Sequence, residues 1–374
     1  MPARQFSLST VALMAAALLC ATAARAAEPV KITYGYHPYW TGGWNGVIIK
    51  HKELWKKHLP AGSEVRFEAH LTGPPMVNAL LADKMQIGTM GDMPSLVATT
   101  KRDQGDIRLV SVPMISNGMT CNKILVRKDA PEFKSPEEAT AWLTGKPFAV
   151  HRGTCANRAV LSIIAKKGFE PSQVVYTPIE VIASNFEAGK LDAAAMWEPH
   201  ARRVVEAGNA RYAVVGSVWD EKDANFTLMR QDFIEKHPEA AAGWLKAEIE
   251  AVKFMIENPE ETARIIAKET KGYTPQTAWS ALYEELGPEV GGDKVNYIGK
   301  MVFDDEVLEI MKAGYAFLHS IKVLPTPDIP ADAYNDAPLK KALADLGATT
   351  PIGVIRGEPR KQVTADRRRR VICR

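Results

Sequence analysis

The chain is short of the features that mark many function classes. Its 374 residues include four cysteines, none in a CxxC pair or at Cys/His spacing suited to zinc. No metal or cofactor is expected. It has no G-x-S-x-G elbow, no H-E-x-x-H and no phosphate-binding P-loop. The histidines are scattered, and an isolated histidine is more often structural than catalytic, so an enzyme is not expected. No apolar run approaches the ~20 residues that a membrane-spanning helix needs. The most concentrated one, Val11 to Leu19, lies inside "MPARQFSLSTVALMAAALLCATAARA" (1–26). Basic Arg4 ahead of it and Ala24-Arg25-Ala26 behind it make a signal peptide with an A-x-A cleavage site. Export to the periplasm is therefore expected.

Basic charge is also scarcer than the net +3 suggests. Arg4 and Arg25 supply two positive charges in the leader. From Pro351 to Arg374, eight Lys/Arg stand against two Asp/Glu, a net of +6, which leaves −5 for residues 27–350. A mildly acidic body excludes a general nucleic-acid binder. The terminal "RGEPRKQVTADRRRRVICR" has no hydrophobic period and is expected to be a disordered basic tail on a C-terminal extension, 331–374. Once the leader is removed, Cys121, Cys155 and Cys373 remain. An oxidising compartment permits a bond, and Cys121 with Cys155 is the expected pair.

A body of about 320 residues suggests two domains. Short β-rich runs alternate with amphipathic helical ones, which predicts an α/β fold. "VKITYGY", "EVRFEAHL", "QIGTMG", "IRLVSVPM" and "NKILVRKD" read as strands, with helices over "WNGVIIKHKELWKKHL", "PPMVNALLADKM" and "DMPSLVATTKRDQG" (Asp92 as its N-cap). A second α/β unit follows, and from about "ANFTLMRQDF" the chain turns helical. This order predicts lobe 1 from 27–126 and 220–330, with lobe 2 (127–219) inserted. Ligands in open α/β sheets bind beyond the carboxyl ends of strands, which directs attention to loops 37–46, 71–76, 88–95, 151–158, 176–182 and 196–200.

"NALLADKMQIGTMGDMP" (78–94), "FEAGKLDAAAMWEPH" (186–200) and "LMRQDFIEKHPEAAAGWLKA" (228–247) together resemble the solute-binding proteins of ABC importers, in the nitrate/sulfonate/taurine group. The resemblance covers about residues 30–320. It implies the type II periplasmic binding fold: two α/β lobes around a ligand cleft, with a helical C-terminal part. It further implies capture of a small organic solute and its delivery to an inner-membrane permease, by a monomer that needs no cofactor. A soluble sensor that passes its ligand state to a membrane receptor is the alternative. The same fold serves yeast-type thiamine pyrimidine synthases, but their cysteine cluster is missing here.

Three loops carry the candidate ligand contacts. "YGYHPYWTGGWNG" (34–46) concentrates rings in a Gly-rich loop, and His37, Tyr39, Trp40 and Trp44 are expected to form one cleft wall. In "HRGTCANR" (151–158), Thr154 is placed to cap a helix whose free N–H groups, from Cys155 onward, face an anion, with Arg152 and Arg158 adding charge. Against an anion stand Asp92 in "GDMP" and Glu198 beside Trp197 in "WEPH", an acid among aromatics that suits a cation or the amino end of a zwitterion. The residues leave the ligand's charge open.

Overall fold

The computed structural model describes residues 28–119 and 121–365. The signal-peptide segment, Cys373 and the last basic run lie outside the described residues. The first unit runs β1 (Lys31–Tyr36), α1 (Trp44–His51), α2 (Trp55–His58), β2 (Glu64–Ala69), α3 (Gly73–Leu81), β3 (Ile87–Gly91), α4 (Asp92–Thr99), β4 (Ile107–Ser111) and β5 (Ile115–Ser116). The second runs β6 (Lys123–Arg127), α5 (Pro136–Leu143), β7 (Pro147–Val150), α6 (Cys155–Ala165), β8 (Gln173–Tyr176), α7 (Ile179–Glu187), β9 (Ala193–Met196), α8 (His200–Glu206) and β10 (Ala210–Val215). After β11 (Asp223–Arg230) come α9 (Gln231–Lys236), α10 (Pro238–Glu257), α11 (Pro259–Glu269), α12 (Pro275–Tyr283), β12 (Val295–Gly299), α13 (Asp305–Ser320), α14 (Ala337–Leu346) and β13 (Gly353–Arg356).

Local chemistry accounts for many boundaries. Proline stands in the first turn of α3, α5, α10, α11 and α12, where its missing N–H costs nothing. Ser135 accepts from the Glu138 N–H at the head of α5, and the Glu138 carboxylate takes the Lys134 N–H in return, a variant of the capping box. The single helix expected over 44–59 is two, because Glu53 adopts a left-handed φ of 52° and ends the first.

Two sheets result. One has the order β13-β12-β5-β11-β3-β1-β2, with β4 also on β11; the other is β10-β6-β9-β7-β8. Alternation along the strands splits each sheet's apolar residues between two cores. Met229 and Ile87 join Trp44, Trp244 and Trp279 on one face, while Leu228 and Met90 join Met76, Met93 and Tyr315 on the other. In the smaller sheet Ile124 and Val126 face one cluster and Leu125 the opposite one.

Two expectations are corrected here. The first lobe does not reach residue 126: β6 pairs with β9 and β10 in the smaller sheet, so the chain leaves the larger sheet ahead of Lys123. The tail expected from Arg356 onward is also not wholly unstructured, and a strand leads into it. Gly353–Arg356 pairs antiparallel with β12, Ile355 and Val363 are buried in the main core, and the Val363 N–H donates to Gln276. A strand completed by a distant partner carries no local period, which is why the sequence left 353–355 without an element.

The two crossings between sheets run side by side where Gly118 and Asn122 of the first meet Gly216 and Glu221 of the second. The Gly216 N–H donates to the Asn122 carbonyl at 2.9 Å, and Asn122 Nδ2 donates to the Glu221 carbonyl at 2.7 Å. A Cβ on Gly118, whose φ is +69°, would stand 2.6 Å from the Gly216 backbone. Only glycine permits that approach.

Glu248 of α10 is fully buried. It accepts from Asn45 Nδ2 at 3.1 Å and from the Ser111 and Thr227 hydroxyls. Burial pushes its carboxyl up to about 7, although these donors pull the other way. A carboxyl raised in the fold contributes stability that is complete below its unfolded value of 4.5 and is lost as pH rises through about 7. Glu248→Gln should therefore gain stability relative to wild type between pH 5 and pH 8.5, by on the order of 2 kcal/mol. Urea denaturation at both pH values measures the difference, and an equal offset at both would refute it.

Candidate functional site: a cleft between the two sheets

A cavity of about 120 Å³ opens where strand ends of the two sheets face each other. One wall comes from the larger sheet: His37 and Trp40 after β1, Leu71 to Pro74 after β2, and Gly91, Asp92 and Pro94 after β3. The other comes from the smaller: His151 to Cys155 after β7 and Trp197 after β9. Three helices, α3, α4 and α6, point their first turns at this space.

Their donors differ. In α3, Pro74 and Pro75 have no N–H to offer. In α4, the N-cap is Gly91 and not Asp92 as expected; Asp92 is the first helical residue, and its own Oδ1 accepts the Met93 N–H at 2.8 Å. Pro94 removes the next donor. Only α6 keeps an adjacent open pair. Thr154 caps it, accepting the Asn157 N–H at 3.2 Å and donating its hydroxyl to the His151 carbonyl at 2.8 Å. The Asn157 N–H is therefore spent, while those of Cys155 and Ala156 have no acceptor among the described residues. Helix α6 thus directs its partial positive charge and two free donors at an anion.

The same wall adds more donors. Arg152 stands in the lining, 5.4 Å over the Tyr176 ring. The Ile179 N–H donates to His151 Nδ1 at 3.2 Å, and burial lowers the His151 pKa. The ring is neutral with its proton on Nε2, a further donor. His151 was missed as a site residue in the sequence, although its loop was singled out. The opposite wall carries acceptors. His37 sets Nδ1 against the His70 carbonyl at 3.0 Å, so Nδ1 holds the proton and Nε2 is a lone pair. Burial holds that imidazole down at about 4, hence neutral.

Several candidates from the sequence take other roles. Trp44 is no cleft wall: it is fully buried in the larger sheet's core, and its Nε1 donates to the Pro38 carbonyl at 2.8 Å. A Trp that opens a helix has a core-facing side to join, unlike Trp40 in the loop. Tyr39 lies between His200 and Tyr273, with ring centroids at 6.5 and 5.8 Å, outside the cavity lining. Arg158 does not face the cavity either. It is buried, pairs with Glu221 at 3.4 Å, donates to the Lys222 carbonyl and stands 3.7 Å from Asp92. Burial raises the Asp92 pKa while that guanidinium opposes the rise, so Arg158 offsets the one carboxylate in the lining.

Glu198 turns away from the cleft. It is 1% exposed, takes the Tyr212 hydroxyl at 2.6 Å and the Arg202 N–H at 3.0 Å. Burial raises its pKa, opposed chiefly by Arg202 and then by Lys123; burial likewise lowers Lys123 to about 8. This is a buried charge cluster within the smaller lobe and no ligand contact. Its backbone carbonyl does span the lobes, accepting the Thr41 N–H at 3.1 Å. Glu198→Ala should cost about 3 kcal/mol of stability by leaving buried cations unpaired. The variant, assayed below its melting range, should keep its affinity for small ligands in calorimetric titration. A selective loss of affinity at unchanged stability would restore Glu198 to the site.

The NMT1-like family model matches residues 25–269. Among curated proteins, a putative aliphatic sulfonates-binding protein of Bacillus subtilis is 27% identical over 204 residues, 54% of this chain and 59% of its own length. The taurine-binding periplasmic protein of Escherichia coli is 26% identical over 204 residues, 54% of this chain and 60% of its own. The matched region thus spans about three-fifths of these relatives, and both are named as binding proteins. Among solved structures, the alkanesulfonate-binding protein SsuA of Xanthomonas axonopodis pv. citri, bound to MOPS, aligns with a TM-score of 0.63 at 19% identity, covering 83% of this chain and 99% of that one. The fold is therefore the two-lobed α/β fold of periplasmic binding proteins, and the chain belongs to the NMT1-like family.

Proposed function

We propose that this protein is the solute-binding component of an ABC importer, capturing a short organic monoanion of the sulfonate class in the cleft. The observation that carries the reading is the uncapped N–H pair of Cys155 and Ala156 at the mouth of α6, in one lining with Arg152 and His151. The anionic head sits on this donor wall. The carbon chain lies against Trp40, Leu71, Pro74, Pro94 and Trp197. Prolines and the Asp92 carboxylate take most helix donors from the facing wall, which keeps the Trp40 indole N–H, unpartnered among the described residues; that is fewer than an inorganic oxyanion enclosed by donors on all sides would use. His37 Nε2 and Asp92 on that wall are acceptors, and an amino group at the far end of the ligand meets them, so a taurine-type aminosulfonate fits best.

A cation as sole ligand is disfavoured: Glu198 faces the interior, and Arg158 offsets the charge of Asp92, which leaves Asp92 Oδ2 as a hydrogen-bond acceptor for an amino group and no net counter-charge. Among the described residues no helix is long and apolar enough to cross a membrane. The signal-peptide pattern of residues 1–26 and the likeness to a taurine-binding periplasmic protein support a periplasmic protein that hands its ligand to a membrane permease.

Calorimetric titration with taurine, ethanesulfonate, nitrate and choline tests the reading. Both sulfonates should bind, taurine more tightly, and Arg152→Ala should weaken both by about tenfold, or ~1.4 kcal/mol. Asp92→Asn should narrow the gap between taurine and ethanesulfonate. Binding of choline alone would overturn the assignment.

A further inference from the structure

The helix that offers the donors is fastened to the crossings between the lobes, and not merely to its own lobe. Cys155, its first residue, is bonded to Cys121, which lies in the first crossing, two residues ahead of β6. Cys121 is fully buried, whereas Cys155 is 9% exposed and lines the cavity. The second crossing holds the same helix through Glu221. Its carboxylate is 3% exposed, takes the Ser162 hydroxyl at 2.5 Å and Lys166 Nζ at 2.6 Å, and pairs with Arg158 at 3.4 Å. Arg158 also donates to the Lys222 carbonyl.

The two fastenings act on different parts of α6. Glu221 grips its second and third turns through polar contacts. Beside the Thr154 cap, the disulfide is the covalent hold on the residue whose N–H belongs to the donor pair. Trp40 from the opposite lobe packs into the same buried cluster as Cys121, Cys155 and Trp197, so this bond sits where the lobes meet around the ligand.

We infer that the Cys121–Cys155 disulfide is a redox-sensitive positioning device that fixes the anion-binding turn of α6 against the interlobe crossing, so that its reduction lowers ligand affinity without unfolding the protein. The inference rests on the reading of α6 as the site of the anionic head. The step is ordinary thiol–disulfide exchange: a dithiol reductant donates two electrons and two protons, the S–S bond breaks, Cys121 and Cys155 become thiols, and the reductant becomes a cyclic disulfide. Glu221 and the packed cores keep the helix in place, while the first turn loses its tether and the Cys155 and Ala156 donors lose their fixed direction.

The test uses the full mature chain, oxidised and after treatment with dithiothreitol, with far-UV circular dichroism to verify that it stays folded. Two readouts are taken. Taurine affinity by calorimetry should fall about tenfold on reduction and return on reoxidation with glutathione disulfide. Amide hydrogen exchange at Asn157, whose N–H is held by the Thr154 hydroxyl in the same turn, should accelerate by a similar factor in the ligand-free protein, while exchange in β7 and the last turns of α6 stays unchanged. Cys121→Ala/Cys155→Ala, if it folds, should match the reduced state and no longer respond to the reductant. Exchange at Asn157 that is unchanged by reduction overturns the inference, as does unchanged taurine affinity. If the oxidised protein binds no sulfonate, the proposed ligand class fails, and the exchange measurement still decides whether the bond orders the turn.

Discussion

The cleft depends on how the chain passes between its two sheets. The two passages lie against each other at Gly118 and Gly216, joined by the Gly216 N–H to Asn122 carbonyl bond. The close approach leaves no room for a side chain and sets one sheet's strand ends opposite the other's. Every element of the site then follows from a strand-end loop held at a fixed offset from this pair of crossings. The larger sheet brings aromatic, proline and acceptor groups with the one indole N–H of Trp40, and the smaller brings the helix-end donors.

The division of labour between the walls arises from small choices in helix first turns. Three helices aim at one space, so three positive helix ends would favour an inorganic anion enclosed on all sides. Paired prolines remove donors from α3, and Asp92 with Pro94 occupies α4. One end is left open. The asymmetry gives a ligand two distinguishable ends, and the neutral histidines reinforce it, His151 as a donor and His37 as an acceptor.

Much of this was legible in the sequence because it is local. Proline at helix starts, the Thr154 cap and the alternation of strand and helix are encoded within a few residues of where they act, and the "GDMP" and "WEPH" loops marked where to look. What was not legible is direction and distance. "WEPH" identifies an acid among aromatics, but whether Glu198 faces the cleft or Tyr212, Arg202 and Lys123 depends on strands that arrive from elsewhere in the chain. Trp40 and Trp44 look alike in a Gly-rich segment, and only the turn that begins α1 sends the second into the core. The strand at 353–356 needed β12 as its partner before its apolar residues had a place. The order of strands and helices already indicated two lobes and the resemblance named their fold, while the direction of each site residue had to come from the geometry.

The most direct measurement of the central claim is a crystal structure of the protein with 2-bromoethanesulfonate, the bromine located by its anomalous signal. The account predicts sulfonate oxygens within hydrogen-bond distance, about 3 Å, of the Cys155 and Ala156 nitrogens, with bromine on the side of Trp40, Pro74 and Pro94. A sulfonate seated instead at α3 or α4, with bromine beside Arg152, would contradict it.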